Sequence, residues 1–228
     1  GCSIVFHLAA LIGIPYSYVA PRSYLETNTI GTLNVLQSAK DLSNIKVIHT
    51  STSEVYGTAK YVPIDENHPI IGQSPYSASK IGADQLAISF YKSFQTPLCI
   101  LRPFNTYGPR QSQRAIIPTV INQFLSGNFN LRLGLTTPTR DFNFVTDTCD
   151  AFIAVSESDL CNGRILNSAS SFEVSIAQTI DYIADVMNIS DYSITQDPDR
   201  LRPTSSEVER LYGDASLLKS LTNWSPSY

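Results

Sequence analysis

No run of apolar residues in this sequence is long enough to cross a bilayer. The longest, residues 4–14, is broken by His7 and Gly13, whereas a spanning helix needs about 20 consecutive apolar residues. A helical membrane anchor is thereby excluded within these residues, and a membrane is not an expected partner. No basic start with an apolar core and a small-residue cleavage site opens the chain, so no secretory leader is visible. The first residue is Gly1 rather than Met, and the chain is expected to be a fragment or a processed product. Basic clusters are missing too. Sixteen Lys and Arg stand against 20 Asp and Glu, a formal net charge of -4, which speaks against a nucleic-acid partner. Cys2, Cys99, Cys149 and Cys161 show neither close pairing nor metal-ligand spacing. Each lies in or beside an apolar run, so all four are expected to be buried thiols of a reducing, cytoplasmic compartment, with no metal site.

What is present is the material for an interior. Hydrophobic residues make up 43% and charged residues 16% of the 228 positions, a composition that fills a packed core in one large domain or two small ones. Apolar, β-branched runs alternate with helical periodicities. Residues 4–8, 46–50 and 97–101 read as buried strands. Residues 24–39, with Leu25, Ile30, Leu33, Val35 and Leu36 on one side, and residues 76–94, introduced by Ser74-Pro75, read as helices. Strands separated by helices of this length predict an α/β fold with a parallel, doubly wound sheet. After Tyr107-Gly108-Pro109 the texture changes. A helix is expected over 116–124, a short strand over 131–133, a strand edge and helix over 144–155, and a helix over 175–187. From Asp197 onward the chain is polar and carries Pro198, Pro203 and Pro226. One expected feature is missing: the Gly-rich turn after a first strand that lets a pyrophosphate approach a helix N-terminus. Either the fold differs, or its first βαβ unit lies upstream of Gly1.

Three clusters can carry chemistry. Tyr76 and Lys80 are four apart, which on a helix puts both side chains on one face. A phenol ionises near pH 10, and a neighbouring ammonium lowers that value. Such a pair can take a proton from a sugar hydroxyl while hydride leaves the same carbon for a cofactor. Tyr56 and Lys60 have the same spacing, but Gly57 and a strand-end context separate them from a helix face. Next, Thr50-Ser51-Thr52-Ser53-Glu54 follows a buried strand, where ligands of open α/β sheets bind, and its hydroxyls and carboxylate suit a polyol. Lastly, Asn105 follows the third strand and can bond a sugar or phosphate, while Arg140 and Arg202 can form bidentate bonds with a diphosphate. Taken singly, each arginine reads equally as a surface ion-pair residue, and Glu54 as the cap of a turn.

Taken in order, these segments resemble the extended short-chain dehydrogenase/reductase family, the sugar-nucleotide epimerases and dehydratases. The resemblance is carried by Phe6-His7-Leu8-Ala9-Ala10, Asn28, Ser53-Glu54-Val55-Tyr56-Gly57, Tyr76-Ser77-Ala78-Ser79-Lys80, Arg102-Pro103-Phe104-Asn105-Thr106-Tyr107-Gly108-Pro109, Arg140-Asp141-Phe142 and Trp224-Ser225-Pro226. It implies a Rossmann-type sheet lacking its first βαβ unit, formed by residues 1–107 and 140–168, with a smaller α/β substrate domain from 108–139 and 169–228. It further implies NAD as cofactor, held by Leu8, Ala9, Ala10, Tyr76, Lys80 and Pro103. Catalysis would fall to Thr52, Ser53, Glu54, Tyr76 and Lys80. A UDP-, GDP- or dTDP-linked sugar would be bound by Thr52, Asn105, Arg114, Arg140 and Arg202. A homodimer through helices 24–39 and 76–94 is implied as well. Within the family, residues 73–84 and Pro109-Arg110-Gln111-Ser112 resemble bacterial N-acetylglucosamine-nucleotide 4,6-dehydratases of the legionaminic acid type. Glucose-nucleotide dehydratases carry Asp where this chain has Ser53, so Glu54 would serve both the C5 proton and the departing C6 oxygen. A 4-epimerase, a UDP-glucuronate decarboxylase and a binding protein or fragment without activity stay open as alternatives.

Overall fold

The computed structural model describes residues 1–42 and 45–228. The apolar run at the start forms β1 (Ile4–His7), one residue shorter than expected. Pro15 opens α1 (Ile14–Val19), where the lost N–H would have had no helical partner. The expected helix over 24–39 is a longer helical path in three pieces. These are α2 (Pro21–Tyr24), a π-helical segment (Leu25–Ile30) and α3 (Gly31–Leu42). The wide turn goes with bonds to distant parts of the chain. Asn28, at its centre, is turned inward to accept from the Leu11 N–H (2.8 Å) and to donate to the Leu11 carbonyl and to Ser79 Oγ (both 2.9 Å).

After β2 (Lys46–Thr50) the chain makes one 3-10 turn, Ser53–Tyr56. A reciprocal cap between Ser74 and Ser77, with Pro75 in the first turn, then starts α4 (Pro75–Phe94). β3 (Leu98–Pro103) runs two residues beyond the expected end because Arg102 and Pro103 still pair with a neighbouring strand. There follow β4 (Asn105–Tyr107), α5 (Ile116–Leu125), β5 (Asn130–Leu133), β6 (Thr139–Phe144), α6 (Val145–Glu157), β7 (Ile165–Ser168) and β8 (Glu173–Ser175). Ser175 and Gln178 cap α7 (Ile176–Val186), and β9 (Ser193–Gln196) and α8 (Ser216–Leu221) complete the order.

β1, β2, β3 and β7 form an all-parallel sheet in the order β1-β2-β3-β7. Side chains of a strand alternate between its faces, and both faces here are covered. Val47, Leu98 and Ile100 pack on Leu36 and Ala39 of α3 and on Ala87 and Phe90 of α4. Ile48, Cys99 and Leu101 join Val155, Leu166, Leu218 and Trp224 on the other side. Each such side chain, once buried, contributes about 1.5–3 kcal/mol. This is the two-faced pattern of a Rossmann-type fold. A smaller unit lies beside it, where α5, α7, β5 and β9 share a core of Val120, Phe124, Leu131, Leu133 and Ile180. Between them, β4, β6 and β8 make a three-stranded sheet.

The cysteines correct one expectation. All four are free, but only Cys99 and Cys161 are buried. Cys2 precedes β1, and Cys149 falls on the outward side of α6, whose inward side carries Asp147, Thr148, Ala151 and Val155. Apolar neighbours in sequence do not bury a helical residue that points the other way.

Candidate active site

The parallel sheet brings the C-terminal ends of β1, β2 and β3 to one edge, and α4 lays its first turns across the end of β2. Thr52 stands where β2 has ended, in extended conformation, and its hydroxyl accepts the Glu54 N–H at 3.3 Å. That cap turns the chain sharply and holds Ser53 and Glu54, both buried, against the start of α4. Tyr76 and Lys80 occupy the inward face of α4 and are buried as well. The Lys80 ammonium donates to the Thr50 carbonyl at 2.5 Å, tying α4 to the end of β2.

The electrostatics depart from expectation at the phenol. Burial pushes Tyr76 above its ordinary range; the Thr52 hydroxyl pulls the other way, while Glu54, Asp84 and Tyr24 reinforce the rise. The expected net lowering does not result: burial dominates, and the Lys80 ammonium is directed at the Thr50 carbonyl. Lys80 itself is lowered by burial from 10.5 to about 8, against the opposing pull of Asp84.

A second group of side chains arrives from the far end of the sequence. Arg202 Nη1 lies 3.7 Å from Glu54 Oε2 and 3.9 Å from Glu207 Oε1, and Arg140 Nη2 lies 3.6 Å from the same Glu207 oxygen. At these distances the groups attract without close hydrogen bonds, and Arg202 Nη1 has no hydrogen-bond partner among the described residues. Burial lowers Arg140, with Arg202 adding to that effect and Glu54 and Glu207 opposing it. Asn105, Arg114, Arg140 and Arg202 all line one cleft of about 530 Å³, together with Glu207. The Asn105 side-chain oxygen is buried there without a partner among the described residues.

The remaining expected residues take separate places. Leu8 and Ala9 are exposed and Ala10 half-buried just past the end of β1, and Pro103 is half-buried at the end of β3. Lys60 lies in the loop after the 3-10 turn and shares no helix with Tyr56. Reading the sequence missed Glu207 and Asp84. Glu207 sits in a polar stretch with no periodicity to mark it. Asp84 is four residues beyond Lys80 on the same helix, a signal that extending the Tyr76–Lys80 row by one turn would have caught.

The sequence model of the GDP-mannose 4,6 dehydratase family matches residues 2–228. Among curated proteins, the chain is 35% identical over 199 residues to dTDP-D-glucose 4,6-dehydratase of Dictyostelium discoideum, a match that covers 82% of this chain and 45% of that protein. Among solved structures, it superposes on Pal from Bacillus thuringiensis with a TM-score of 0.90 and 31% identity, covering 99% of this chain and 71% of the other. UDP-glucuronic acid 4-epimerase from Bacillus cereus, in complex with UDP-glucuronic acid and NAD, gives a TM-score of 0.90 at 29% identity, with the same coverage of 99% and 71%. The chain thus spans about half the length of the first of these relatives and about seven-tenths of the other two.

Proposed function

Because the chain belongs to the GDP-mannose 4,6-dehydratase family, we propose that it forms the catalytic body of an NAD-dependent enzyme acting on a nucleotide-linked sugar. Its reaction on this reading is 4,6-dehydration of an N-acetylglucosamine nucleotide, in the manner of the dehydratases of the legionaminic acid type that residues 73–84 resemble. One arrangement carries the choice of reaction: a buried carboxylate, Glu54, stands two residues past Thr52 in the 3-10 turn that packs on α4, the helix whose first turn carries Tyr76. Exchange of configuration at C4 needs no carboxylate at that place. Removal of a proton from C5 does.

The residues present fit the nicotinamide end of a dinucleotide. The small side chains of Ala9 and Ala10 lie just past β1, beyond the carboxyl edge of a parallel sheet where such ligands bind. A buried ammonium, Lys80, stands one strand away. Leu8, Ala9, Ala10, Tyr76, Lys80 and Pro103 would hold that end. When bound, the group supplies the acceptor for the C4 hydride and its return to C6.

The chain's own residues do the rest. Tyr76, with the Thr52 hydroxyl beside it, takes the proton of the C4 hydroxyl as its phenolate, a form that burial opposes and that the positive charge of an oxidised nicotinamide ring would favour. The C4 ketone acidifies the C5 proton, which passes to Glu54. From Glu54 it moves to the C6 oxygen, which departs as water; a solvent proton then enters at C5, and the proton held by Tyr76 is released to solvent, so the protons balance. Ser53, lacking a carboxyl, orients and does not act as the acid. The cleft lining holds Arg114, Arg140, Arg200 and Arg202 against Asp199 and Glu207, an excess of positive charge that suits a diphosphate. Arg140 and Arg202 would grip it, with Asn105 on the sugar side. The outward sides of the two long helices, where Leu25, Ile30 and Phe94 are half exposed, would pair in a homodimer.

Glu54→Gln tests the reading. With NAD and a nucleotide sugar supplied, C4 oxidation should persist and reduced nicotinamide accumulate, seen by its absorbance, while dehydrated product falls about a hundredfold or more. Turnover within a few-fold of the parent would remove Glu54 from its role.

A further inference from the structure

Tyr76, Lys80 and Asp84 stand four residues apart along the inward face of α4, so each lies one turn from the next. The first two belong to the site described above; the third has no assigned part in it, although it is fully buried. A carboxylate stripped of water needs partners, and Asp84 is held tightly. Its Oδ2 accepts from Ser51 Oγ at 2.8 Å and from Arg102 Nε and Nη2 at 3.1 and 2.9 Å. Its Oδ1 lies 3.3 Å from His49 Nε2. Arg102 is fully buried in turn, and its Nη1 donates to the Tyr56 hydroxyl at 3.0 Å, which donates to Asn167 Oδ1 at 2.7 Å. The carboxylate is therefore clamped from β2 and β3, on Ser51, the residue next to the Thr50 whose carbonyl takes the Lys80 ammonium.

The charges facing this row are few. β1 brings His7, lowered by burial to about 4 and so neutral at pH 7. β2 brings His49, lowered by burial against the pull of Asp84. β3 brings Arg102, α4 itself brings Tyr76, and Glu54 acts on that phenol from beyond the end of β2. Among the described residues Asp84 is the anion that opposes the cost of burying the Lys80 charge.

We propose that Asp84 is a positioning residue: clamped by Arg102, its carboxylate keeps Lys80 charged and its ammonium fixed on the Thr50 carbonyl, beside Thr52 and Tyr76. The hold is long-range, one helical turn apart and with no direct ion pair, and rests on the shared helix face and on the neighbouring anchors at Thr50 and Ser51. Its catalytic consequence rests on the proposed role of Lys80, because an ammonium that loses its proton holds the Thr50 carbonyl less firmly and presents no positive charge to the site.

The test separates the two. The protein has six lysines, so labelling lysine with ¹³C at Cε gives a spectrum simple enough to follow through a pH titration, with Lys80→Arg identifying the Lys80 signal. In the parent, Lys80 should titrate near 8. In Asp84→Asn the midpoint should fall by about one unit or more, and in Asp84→Glu it should return toward the parent value. Asp84→Asn leaves the Arg102 guanidinium buried without its partner, which can prevent folding. The double variant Asp84→Asn/Arg102→Gln removes the stranded cation as well and should show a fall in the same direction, smaller because a neighbouring positive charge has gone too. A Lys80 midpoint unchanged in whichever of these variants folds would overturn the proposal and leave Asp84 as packing only. A shifted midpoint with unchanged turnover at pH 7–8 would support the hold on Lys80 and overturn Lys80's place in catalysis.

Discussion

Arg202, in the cleft lining, lies beside Glu54, its Nη1 3.7 Å from the carboxylate Oε2. Some 150 residues separate the two in sequence, and the contact joins the group proposed to grip the diphosphate to the group proposed to move the C5 proton. The distance is too long for a hydrogen bond, so Arg202 keeps its donors for a ligand while its charge steadies the base. Arg202→Ala should therefore raise KM about ten- to a hundredfold, the range of a lost charged hydrogen bond, and lower kcat as well. Arg202→Lys should recover little, because an ammonium cannot bond two oxygens as a guanidinium does. Steady-state kinetics of the three proteins would show it.

Tyr76→Phe removes the phenol and keeps the ring that packs edge-on to Tyr24, at 6.3 Å between centroids. C4 oxidation should fall about a hundredfold to ten-thousandfold, with the melting temperature close to the parent's. Loss of folding together with activity would show that the residue is structural.

The proton on Lys80 sets a limit on the alkaline side. Burial holds Lys80 near 8, well below the ordinary lysine value. C4 oxidation should therefore decline as pH rises through about 8 and the ammonium is lost. A rate that stays level to pH 10 would contradict a requirement for that charge.

Acid should destabilise the fold through two neighbouring histidines, His7 and His49, whose tilted rings lie 5.6 Å apart. Burial lowers His7 from 6.5 to about 4 and lowers His49 in the same direction. Between those values the unfolded chain binds more protons than the folded one, so stability falls as pH drops from 6.5 toward 4. His7→Gln, which can keep a bond to Thr32 in place of the 3.0 Å contact, should lose less stability between pH 7 and 5. Urea unfolding at the two pH values measures it.

The parts legible in the sequence were those fixed by local pattern. Residues 46–50 and 76–94 had strong periodicities and clear stop signals, so β2 and α4 lie within a residue of expectation, and the hydroxyl-and-carboxylate run fell between them. The illegible parts depended on distant partners. The π turn exists because Asn28 bonds Leu11 and Ser79, 17 and 51 residues away. The phenol was expected to feel Lys80, but the Thr50 carbonyl claims that ammonium. Glu207 carries no signal of its own and acquires meaning only between Arg140 and Arg202. β4, β8 and β9, three or four residues each, are too short for alternation to mark them.

The most direct test of the central claim is the product formed from a nucleotide-linked N-acetylglucosamine by the protein with NAD in heavy water, read by mass spectrometry. The Tyr76–Glu54 centre predicts a sugar lighter by one water and carrying deuterium at C5, with no net consumption of NAD. A product of unchanged mass, configured differently at C4 and free of deuterium, would contradict it.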